Sequence, residues 1–131
     1  MNRFRQAVEA DDIEAAVAEL ADDVVFRSPV AFSPYPGKPI TAAILRAVFQ
    51  VFDDFHYVRE IADPSGDHAL VFEAKVNGLD ITGCDFLTYN EAGKIVDFMV
   101  MVRPMRAAQA LAEEMGARFE QIKADAIAST S

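Results

Sequence analysis

The spacing of apolar residues predicts helices in the first part of the chain. Apolar side chains three to four residues apart predict helices over residues 2–10, 13–20 and about 42–52. Asp11 or Asp12 would cap the second of these helices and Thr41 the third, because their side-chain oxygens can accept the free backbone N–H groups there. A short strand is expected over 24–28, and the proline-rich segment 29–39 is expected to form a stiff loop.

A different pattern, typical of strands, begins after the third helix. Strands are predicted over residues 56–62, 69–76, 79–89 and 95–103. Asn77-Gly78 is a strong signal for a two-residue hairpin turn, and a polar loop containing Gly93 joins the last two strands. Pro104 can then open a C-terminal helix that runs to about residue 126. Helices grouped ahead of an antiparallel meander predict an α+β fold.

Asp85 stands out because strand alternation places its carboxylate on an apolar face. Side chains alternate along a strand, so Asp85 shares one face of segment 79–89 with Ile81 and Leu87, where an unpaired charge is costly. A bulge near Gly83 would swap the two faces. Two interpretations are open: a structural acid held by backbone amides or a buried partner, or a pocket acid with a raised pKa that donates to a ligand carbonyl.

The last predicted strand is apolar on both of its faces. Alternation puts Ile95, Met99 and Met101 on one face, and Val96, Phe98, Val100 and Val102 on the other. A sheet buried on both sides in so small a domain needs a second covering layer, and a partner subunit is its simplest source. We therefore expect a homodimer formed through the sheet. Asp97 and Arg103 share the first face and are most simply explained as an ion pair or as strand-edge charges; the alternative interpretation is a polar spot in the pocket or in the dimer interface.

Composition excludes several classes of partner and cofactor. With 131 residues, 52% of them hydrophobic, the whole chain can bury a core as one domain without a metal or disulfide. The net charge of −9 disfavours nucleic acid, and the longest strongly apolar run, 98–102, is too short to span a membrane. Residues 1–20 lack a signal-peptide core, and the lone Cys84 suits a reducing cytoplasm. His56 and His68 lack metal-ligand spacing, so neither a metal nor another cofactor is expected.

Three stretches of the chain carry a family resemblance. They are residues 11–29, the helix after Gly37, and DFLTYNEAGKIV at 85–96. In this order and spacing they resemble the ketosteroid isomerase branch of the nuclear transport factor 2-like superfamily, which includes SnoaL-type polyketide cyclases, from Phe4 to about Val102. The resemblance implies a cone, in which a curved antiparallel sheet wraps round N-terminal helices and leaves a deep apolar pocket. The added C-terminal helix extends beyond this pattern, and either closes the open end of the cone or crosses to a partner subunit.

The same resemblance implies roles for single residues. In the isomerase, an acid nine positions before the Lys or Arg of the last hairpin turn stays protonated and hydrogen-bonds the substrate oxygen, and Asp85 stands in that place before Lys94. The proton-abstracting Asp that precedes a proline is here Ser28, and the oxyanion Tyr of the first helix is here Phe4. A serine without a basic neighbour is no general base, and phenylalanine has no donor. Ketosteroid isomerisation by that mechanism is therefore not expected.

These observations together predict a small-molecule pocket protein with Asp85 as its candidate catalytic or orienting acid. The ligand would be apolar with a carbonyl or hydroxyl group, and any catalysis would be isomerase, cyclase or hydrolase chemistry by acid–base steps. Tyr35 and Tyr57 are amphipathic, and either reach a ligand or are half-buried. A non-catalytic carrier or sensor, and an association module that uses the apolar sheet face, are the alternatives. The predicted pocket residues are Phe4, Phe26, Ser28, Phe49, Phe72, Asp85 and Val102.

Overall fold

Two short helices at the N-terminus begin at polar caps. The computed structural model describes residues 2–129. The side chain of Asn2 accepts a backbone N–H at the start of α1 (Arg3–Glu9), and Asp12 does the same at the start of α2 (Ile13–Val17). Each cap satisfies an N–H group that has no partner within its own helix. Of the two caps predicted for α2, the structure therefore selects the second aspartate.

The first strand is longer than the sequence pattern predicts, and α2 is correspondingly shorter. Strand β1 (Leu20–Arg27) begins where the pattern predicts the end of a helix, because Leu20 already pairs with Ile95 of a later strand. The register between the two strands then shifts before Val25. A two-residue strand, β2 (Tyr35–Pro36), pairs with the other edge of β1. Tertiary pairing has overridden local helix propensity here.

The third helix begins inside the segment that was expected to be a loop. Helix α3 (Lys38–Val51) follows Gly37, whose φ of 103° suits glycine. Pro39 lies in the first turn, where backbone N–H groups have no partner within the helix, so the lack of an N–H in proline costs no hydrogen bond. Thr41 is not the cap that the sequence predicts. Its hydroxyl donates to the carbonyl of Gly37 at 2.9 Å, one turn back along the helix.

The remaining strands form hairpins beside β1 in a single curved sheet. They are β3 (Asp53–Ala62), β4 (His68–Val76), β5 (Leu79–Tyr89) and β6 (Ile95–Arg103). The strand order is β2-β1-β6-β5-β4-β3, antiparallel throughout except that β1 runs parallel to β6. Asn77 and Gly78 have φ of 50° and 80°, so the predicted two-residue hairpin turn is present. The α+β fold with a curved sheet is confirmed.

Alternation along β5 is uninterrupted through Gly83, so Asp85 keeps its inward position. Ile81, Gly83, Asp85 and Leu87 are all buried. The irregularity lies further on, where the register with β6 shifts between Thr88 and Tyr89. This bulge turns Ile95 inward, where it is fully buried. The predicted grouping of Ile95 with Met99 and Met101 is therefore wrong.

The C-terminal segment forms two helices instead of the single one predicted. Helix α4 (Met105–Ala117) lies against β4, β5 and β6, and α5 (Phe119–Ala128) lies against α3. The chain breaks at Arg118, whose guanidinium donates to the carbonyl of Glu114 at 2.9 Å and so satisfies a group that the break exposes. Both helices therefore close the open end of the cone within their own chain.

The hydrophobic core fills the space between the helices and the inner face of the sheet. The ring of Phe98 on β6 lies between Phe4 and Phe26, with ring centroids 5.3 Å and 5.5 Å apart. All three side chains are buried, which anchors α1 and β1 to the centre of the sheet. Within residues 2–129, none of the helices has the length and apolar character needed to cross a membrane.

Candidate functional site

A cavity of about 350 Å³ lies between α3, the inner face of the sheet and the two C-terminal helices. This volume is within the usual range for small-molecule sites, and the wall is almost entirely apolar. The polar side chains in the wall are Ser28, Tyr35 and Asp85. The other lining residues are Phe26, Pro29, Val30, Ala31, Ile44, Leu45, Val48, Phe49, Phe52, Phe55, Phe72, Phe98, Val100, Leu111, Ala112, Met115, Gly116, Phe119 and Ile122.

One side of the cavity is an aromatic cluster. Phe55 stacks on Phe72 with ring centroids 4.8 Å apart, and Phe52 lies 5.5 Å from both rings. The apolar stripe of α3 adds Phe49, edge-on to Phe55 at 5.1 Å. Gly83 makes room for this cluster, because a Cβ at that position would overlap the Phe72 ring. A flat apolar ligand could therefore pack against several rings at once.

Asp85 is the ionisable carboxyl in the cavity wall, and it is 5% exposed. Burial disfavours the charged form and raises the pKa of this carboxyl to about 7, although a hydrogen bond from Tyr57 acts in the opposite direction. That hydrogen bond joins the Tyr57 hydroxyl to Oδ2 at 3.2 Å. No positive side chain acts on the carboxyl in the part of the chain that the structure describes. Near neutral pH, Asp85 is therefore present in both its neutral and its charged form.

Tyr57 lies behind Asp85, outside the cavity wall. Strand β3 presents its side chain inward, where it is 6% exposed. Burial, followed by the charge of Asp85, raises the pKa of the Tyr57 hydroxyl well above its usual value. The hydroxyl therefore stays protonated and remains a hydrogen-bond donor. Of the two amphipathic tyrosines, Tyr35 lines the cavity, and Tyr57 hydrogen-bonds Asp85 in the cavity wall.

Ser28 is a polar lining residue of a different kind. It follows the end of β1, and its hydroxyl accepts the backbone N–H of Val30 at 3.1 Å, as a turn residue does. In the neighbouring strands, Arg27 is paired with Met99 and Val100 with Asp85. Ser28 therefore lies about two strand spacings, roughly 10 Å, from Asp85 on the inner face. A hydroxyl at this place can hydrogen-bond a ligand but cannot act as a general base.

The structure brings together five of the seven predicted pocket residues. Phe26, Ser28, Phe49, Phe72 and Asp85 surround the cavity.

Phe4 and Val102, the other two predicted pocket residues, lie outside the wall, which corrects the prediction. Phe4 is fully buried, because α1 presses its ring edge-on against Phe98 and fills the narrow end of the cone. Val102 packs against the core near the start of α4, opposite Gly83. An inward position on a helix or strand is therefore not sufficient for a side chain to line the cavity.

The largest omission from the predicted pocket is the wall formed by α4 and α5. The pattern does place apolar residues along one side of this segment, and that stripe is the signal that could have found it. Which surface the stripe covers depends on the break at Arg118, which turns α5 onto α3. The residues contributed are Leu111, Ala112, Met115, Gly116, Phe119 and Ile122.

The remaining polar candidates lie away from the cavity. His56 pairs with Glu73 at 3.3 Å on the exposed surface, and Nε2 of His68 lies 3.6 Å from Glu60. Asp97 forms an ion pair with Arg27 at 3.0 Å, in agreement with the simpler of its two interpretations. Residues 2–129 contain no group of three or more His, Cys, Asp or Glu side chains arranged to hold a metal ion.

Comparison with known proteins gives the chain its family. The family model described as SnoaL-like domain matches residues 1–98. A steroid delta-isomerase from Pseudomonas aeruginosa is 41% identical, over 92% of this chain and 89% of that chain, with a TM-score of 0.85. An uncharacterised protein with a cystatin-like fold from Silicibacter pomeroyi is 36% identical, over 94% and 91% of the two chains, with a TM-score of 0.82. No curated protein matches significantly.

A more distant match shows only that the fold is shared. The epoxide hydrolase/cyclase-like enzyme SalBIII is 17% identical, over 79% of this chain and 87% of that chain, with a TM-score of 0.64. The family model covers most of the chain, and the first two solved structures are similar along nearly their whole length. The chain belongs to the SnoaL-like domain family, and its fold is that of the nuclear transport factor 2-like proteins.

Proposed function

We propose that the protein binds an apolar small molecule carrying a carbonyl or hydroxyl oxygen, and that neutral Asp85 donates a hydrogen bond to that oxygen. The observation that carries this proposal is a buried carboxyl in the wall of an otherwise apolar cavity. Its pKa of about 7 leaves a large neutral fraction at neutral pH. A neutral acid is a strong donor in an apolar site, where no water competes for the ligand oxygen.

The chemistry of the wall supports a ligand without charge. The lining residues include no Lys, Arg or His that would pair with a carboxylate or phosphate, and desolvating such an anion unpaired is costly. A cationic ligand would face a single carboxyl whose burial disfavours its charged form. The aromatic cluster favours a flat, ring-bearing body. A cavity of this size also supports ligand binding over a pure association module.

A pair of probes that differ in one group tests this proposal. An acetylnaphthalene carries a ketone, and the corresponding isopropenylnaphthalene carries CH₂ in place of its oxygen. Calorimetry at about pH 6 should show tighter binding of the ketone. Asp85→Leu should reduce this preference about tenfold, equivalent to roughly 1.4 kcal/mol for one hydrogen bond. Asp97→Asn, on the outer face, is the control, and an unchanged ketone preference in Asp85→Leu would refute the assigned role.

A second candidate function is proton transfer on the bound ligand. The specific observation in its favour is the pKa of about 7, because a carboxyl poised near the working pH both accepts and returns a proton efficiently. The Pseudomonas aeruginosa relative is described as a steroid delta-isomerase. In this candidate, Asp85 as carboxylate removes a proton from the α carbon next to the ketone and returns it to the γ carbon, so that the double bond moves from the β,γ to the α,β position. Neither Ser28 nor Phe4 can supply the second carboxylate or the phenol of the ketosteroid isomerase mechanism.

An ultraviolet assay separates this enzyme from a carrier with the same cavity. Incubation with a β,γ-unsaturated steroid ketone should produce the absorbance of the conjugated enone, and Asp85→Asn should abolish the increase. Binding of the steroid without any enone above the buffer rate would favour the non-catalytic carrier or sensor. Turnover that survives in Asp85→Asn would exclude Asp85 as the proton carrier.

We also propose that the protein is a homodimer through the outer face of its sheet. Phe86 and Met101 are 38% and 53% exposed on the two central strands, and they are paired across the ladder with Met99 and Cys84. An exposed apolar face of this kind is typical of an interaction surface. A cytoplasmic location fits the free thiol of Cys84.

A further inference from the structure

We propose that Tyr57 is the positioning residue of the site: its hydroxyl holds Oδ2 of Asp85 and thereby keeps the acid proton on Oδ1, the oxygen left for a ligand. The proposal rests on the ligand-binding function given above, because it concerns how the same acid presents its proton. Tyr57 would act through Asp85 without contacting the ligand itself.

The strand register explains how Tyr57 reaches Asp85. On the inner face, Tyr57 of β3 is opposite Phe72 of β4, which is opposite Gly83 of β5. Asp85 is the next inward residue along β5, opposite Leu70. The long tyrosine side chain therefore runs diagonally across β4, and its hydroxyl ends 3.2 Å from Oδ2. Both side chains are buried, so water does not compete for this bond.

The tyrosine ring is held on two sides by its neighbours. Phe55 packs edge-on against it, with centroids 5.0 Å apart and planes at 88°. The guanidinium of Arg5, on α1, lies 5.7 Å from the ring centroid. Arg5 is in turn paired with Glu9 and Glu60, each at 3.2 Å. The hydroxyl therefore points at the carboxyl from a side chain that has little freedom to rotate.

The hydrogen bond to one carboxyl oxygen determines which oxygen of Asp85 carries the proton. A neutral acid has one hydroxyl oxygen and one carbonyl oxygen, and the carbonyl oxygen is the better acceptor. Because Tyr57 donates to Oδ2, that oxygen takes the carbonyl role and the proton resides on Oδ1. The phenol remains protonated, since burial raises the pKa of its hydroxyl well above the usual value. Without Tyr57, the carboxyl could flip and offer either oxygen.

The charged and titratable groups near the pair are few. Arg5 and Glu9 of α1 act on Tyr57, and Cys84 is the neighbour of Asp85 along β5. The pKa of the Asp85 carboxyl is shifted by burial and by the Tyr57 hydrogen bond. That bond stabilises the carboxylate, so removing it should raise the pKa of Asp85 further. This direction distinguishes a positioning role from general structural support.

The experiment compares Tyr57→Phe with Tyr89→Phe, which removes a hydroxyl that is bonded to Asn2 and lies outside the cavity wall. The ketone preference of the acetylnaphthalene and isopropenylnaphthalene pair is measured from about pH 5 to pH 9. In the wild type, the preference should fall as the pH rises through about 7, where Asp85 loses its proton. In Tyr57→Phe the preference at low pH should fall roughly threefold, and the midpoint should move to higher pH. Tyr89→Phe should keep both the wild-type midpoint and the wild-type preference.

Two outcomes contradict the proposal, and they differ from failure of the binding function. Equal loss of affinity for both probes with an unchanged midpoint would make Tyr57 merely structural. A wild-type midpoint and a wild-type preference in Tyr57→Phe would exclude any role. If Asp85→Leu leaves the preference intact, the binding function itself fails. Arg5→Gln provides a second variant that keeps the phenol but removes one of the two neighbours that hold its ring. It should therefore move the midpoint in the same direction as Tyr57→Phe, by less. A midpoint that stays at the wild-type pH in both variants overturns the proposal.

Discussion

At the scale of single residues, the energetics of the site depend on one carboxyl that burial makes easier to protonate. Asp85 has a pKa of about 7 in the fold, against 3.8 for the ordinary side chain. The folded state therefore binds this proton more tightly than the unfolded chain does. The resulting stabilisation is complete below about pH 4 and is lost as the pH rises through about 7. The proposed ligand contact and the stability of the protein thus depend on the same proton.

This coupling predicts that Asp85→Asn is more stable than the wild type at alkaline pH. Asparagine keeps the shape and the Tyr57 hydrogen bond, but it has no charge to bury. Its advantage in unfolding free energy should be small near pH 4 and should grow by up to about 4 kcal/mol by pH 8. Urea unfolding at several pH values measures it. Asp97→Asn, on the exposed ion pair, should change stability by no more than about 1 kcal/mol. A pH-independent difference for Asp85→Asn would contradict the buried, easily protonated state.

Gly83 supports the site through the space it leaves. A Cβ there would overlap the Phe72 ring, with Cε2 at 2.6 Å, and would approach the Met101 carbonyl at 3.0 Å. Gly83→Ala should therefore destabilise the fold by about 1–3 kcal/mol and weaken binding of the acetylnaphthalene, because Phe72 must move into the cavity. Thermal unfolding and calorimetry measure the two effects. Gly116→Ala is the matched control for the stability effect: nothing lies within 4 Å of its Cβ, and alanine in α4 should stabilise the fold by up to about 1 kcal/mol.

At the scale of elements, the two C-terminal helices decide how large the cavity is. They supply a wall that closes the end of the cone, and they lie beyond the region matched by the family model, which ends at residue 98. The sequence predicted helical structure there, because an apolar stripe with a helical period is a local property. It did not predict the break at Arg118, because the position of the break depends on the packing of α5 against α3, which is distant in the sequence.

A larger side chain on this wall should reduce the cavity without disturbing the fold. Ala112 lines the cavity from α4, so Ala112→Phe should place a ring in the empty space and lower the affinity for the acetylnaphthalene more than tenfold. The melting temperature should change little, because the added ring buries apolar area without meeting packed atoms. Ala117→Phe, on the exposed end of α4, should leave binding intact. Unchanged affinity in Ala112→Phe would mean that probes bind elsewhere.

At the scale of the whole molecule, the sheet has two different faces. The inner face is covered by the chain's own helices and contains the cavity. The outer face carries Phe86 and Met101, which remain partly exposed in the single chain. The sequence predicted an apolar outer face from strand alternation, and Phe98, Val100 and Val102 of β6 do lie on the inner face, as that alternation predicts. Strand alternation does not specify whether a second subunit covers the outer face, because that depends on association between chains.

The proposed homodimer should come apart when charge is placed on this face. The wild type should scatter light with a mass twice 14.4 kDa at micromolar concentration. The double variant Phe86→Lys, Met101→Lys should scatter as a monomer, because burying two ammonium groups unpaired is costly. Phe32→Ser is the control, since Phe32 is fully exposed on the loop before β2. A monomeric wild type would rule the dimer out.

The sequence by itself determined the features that depend on neighbours along the chain. The two-residue period of β5 put Asp85 inward, Asn77-Gly78 formed its hairpin, and the helical stripe of α3 faced the sheet, since side-chain direction follows from local backbone geometry. Only the tertiary structure decided the contacts between distant segments. Tyr57 meets Asp85 from 28 positions away, and Phe4 is sealed into the core, because curvature and strand register set which inward side chains touch. A cavity is space that the whole fold leaves unfilled, and no local pattern specifies it.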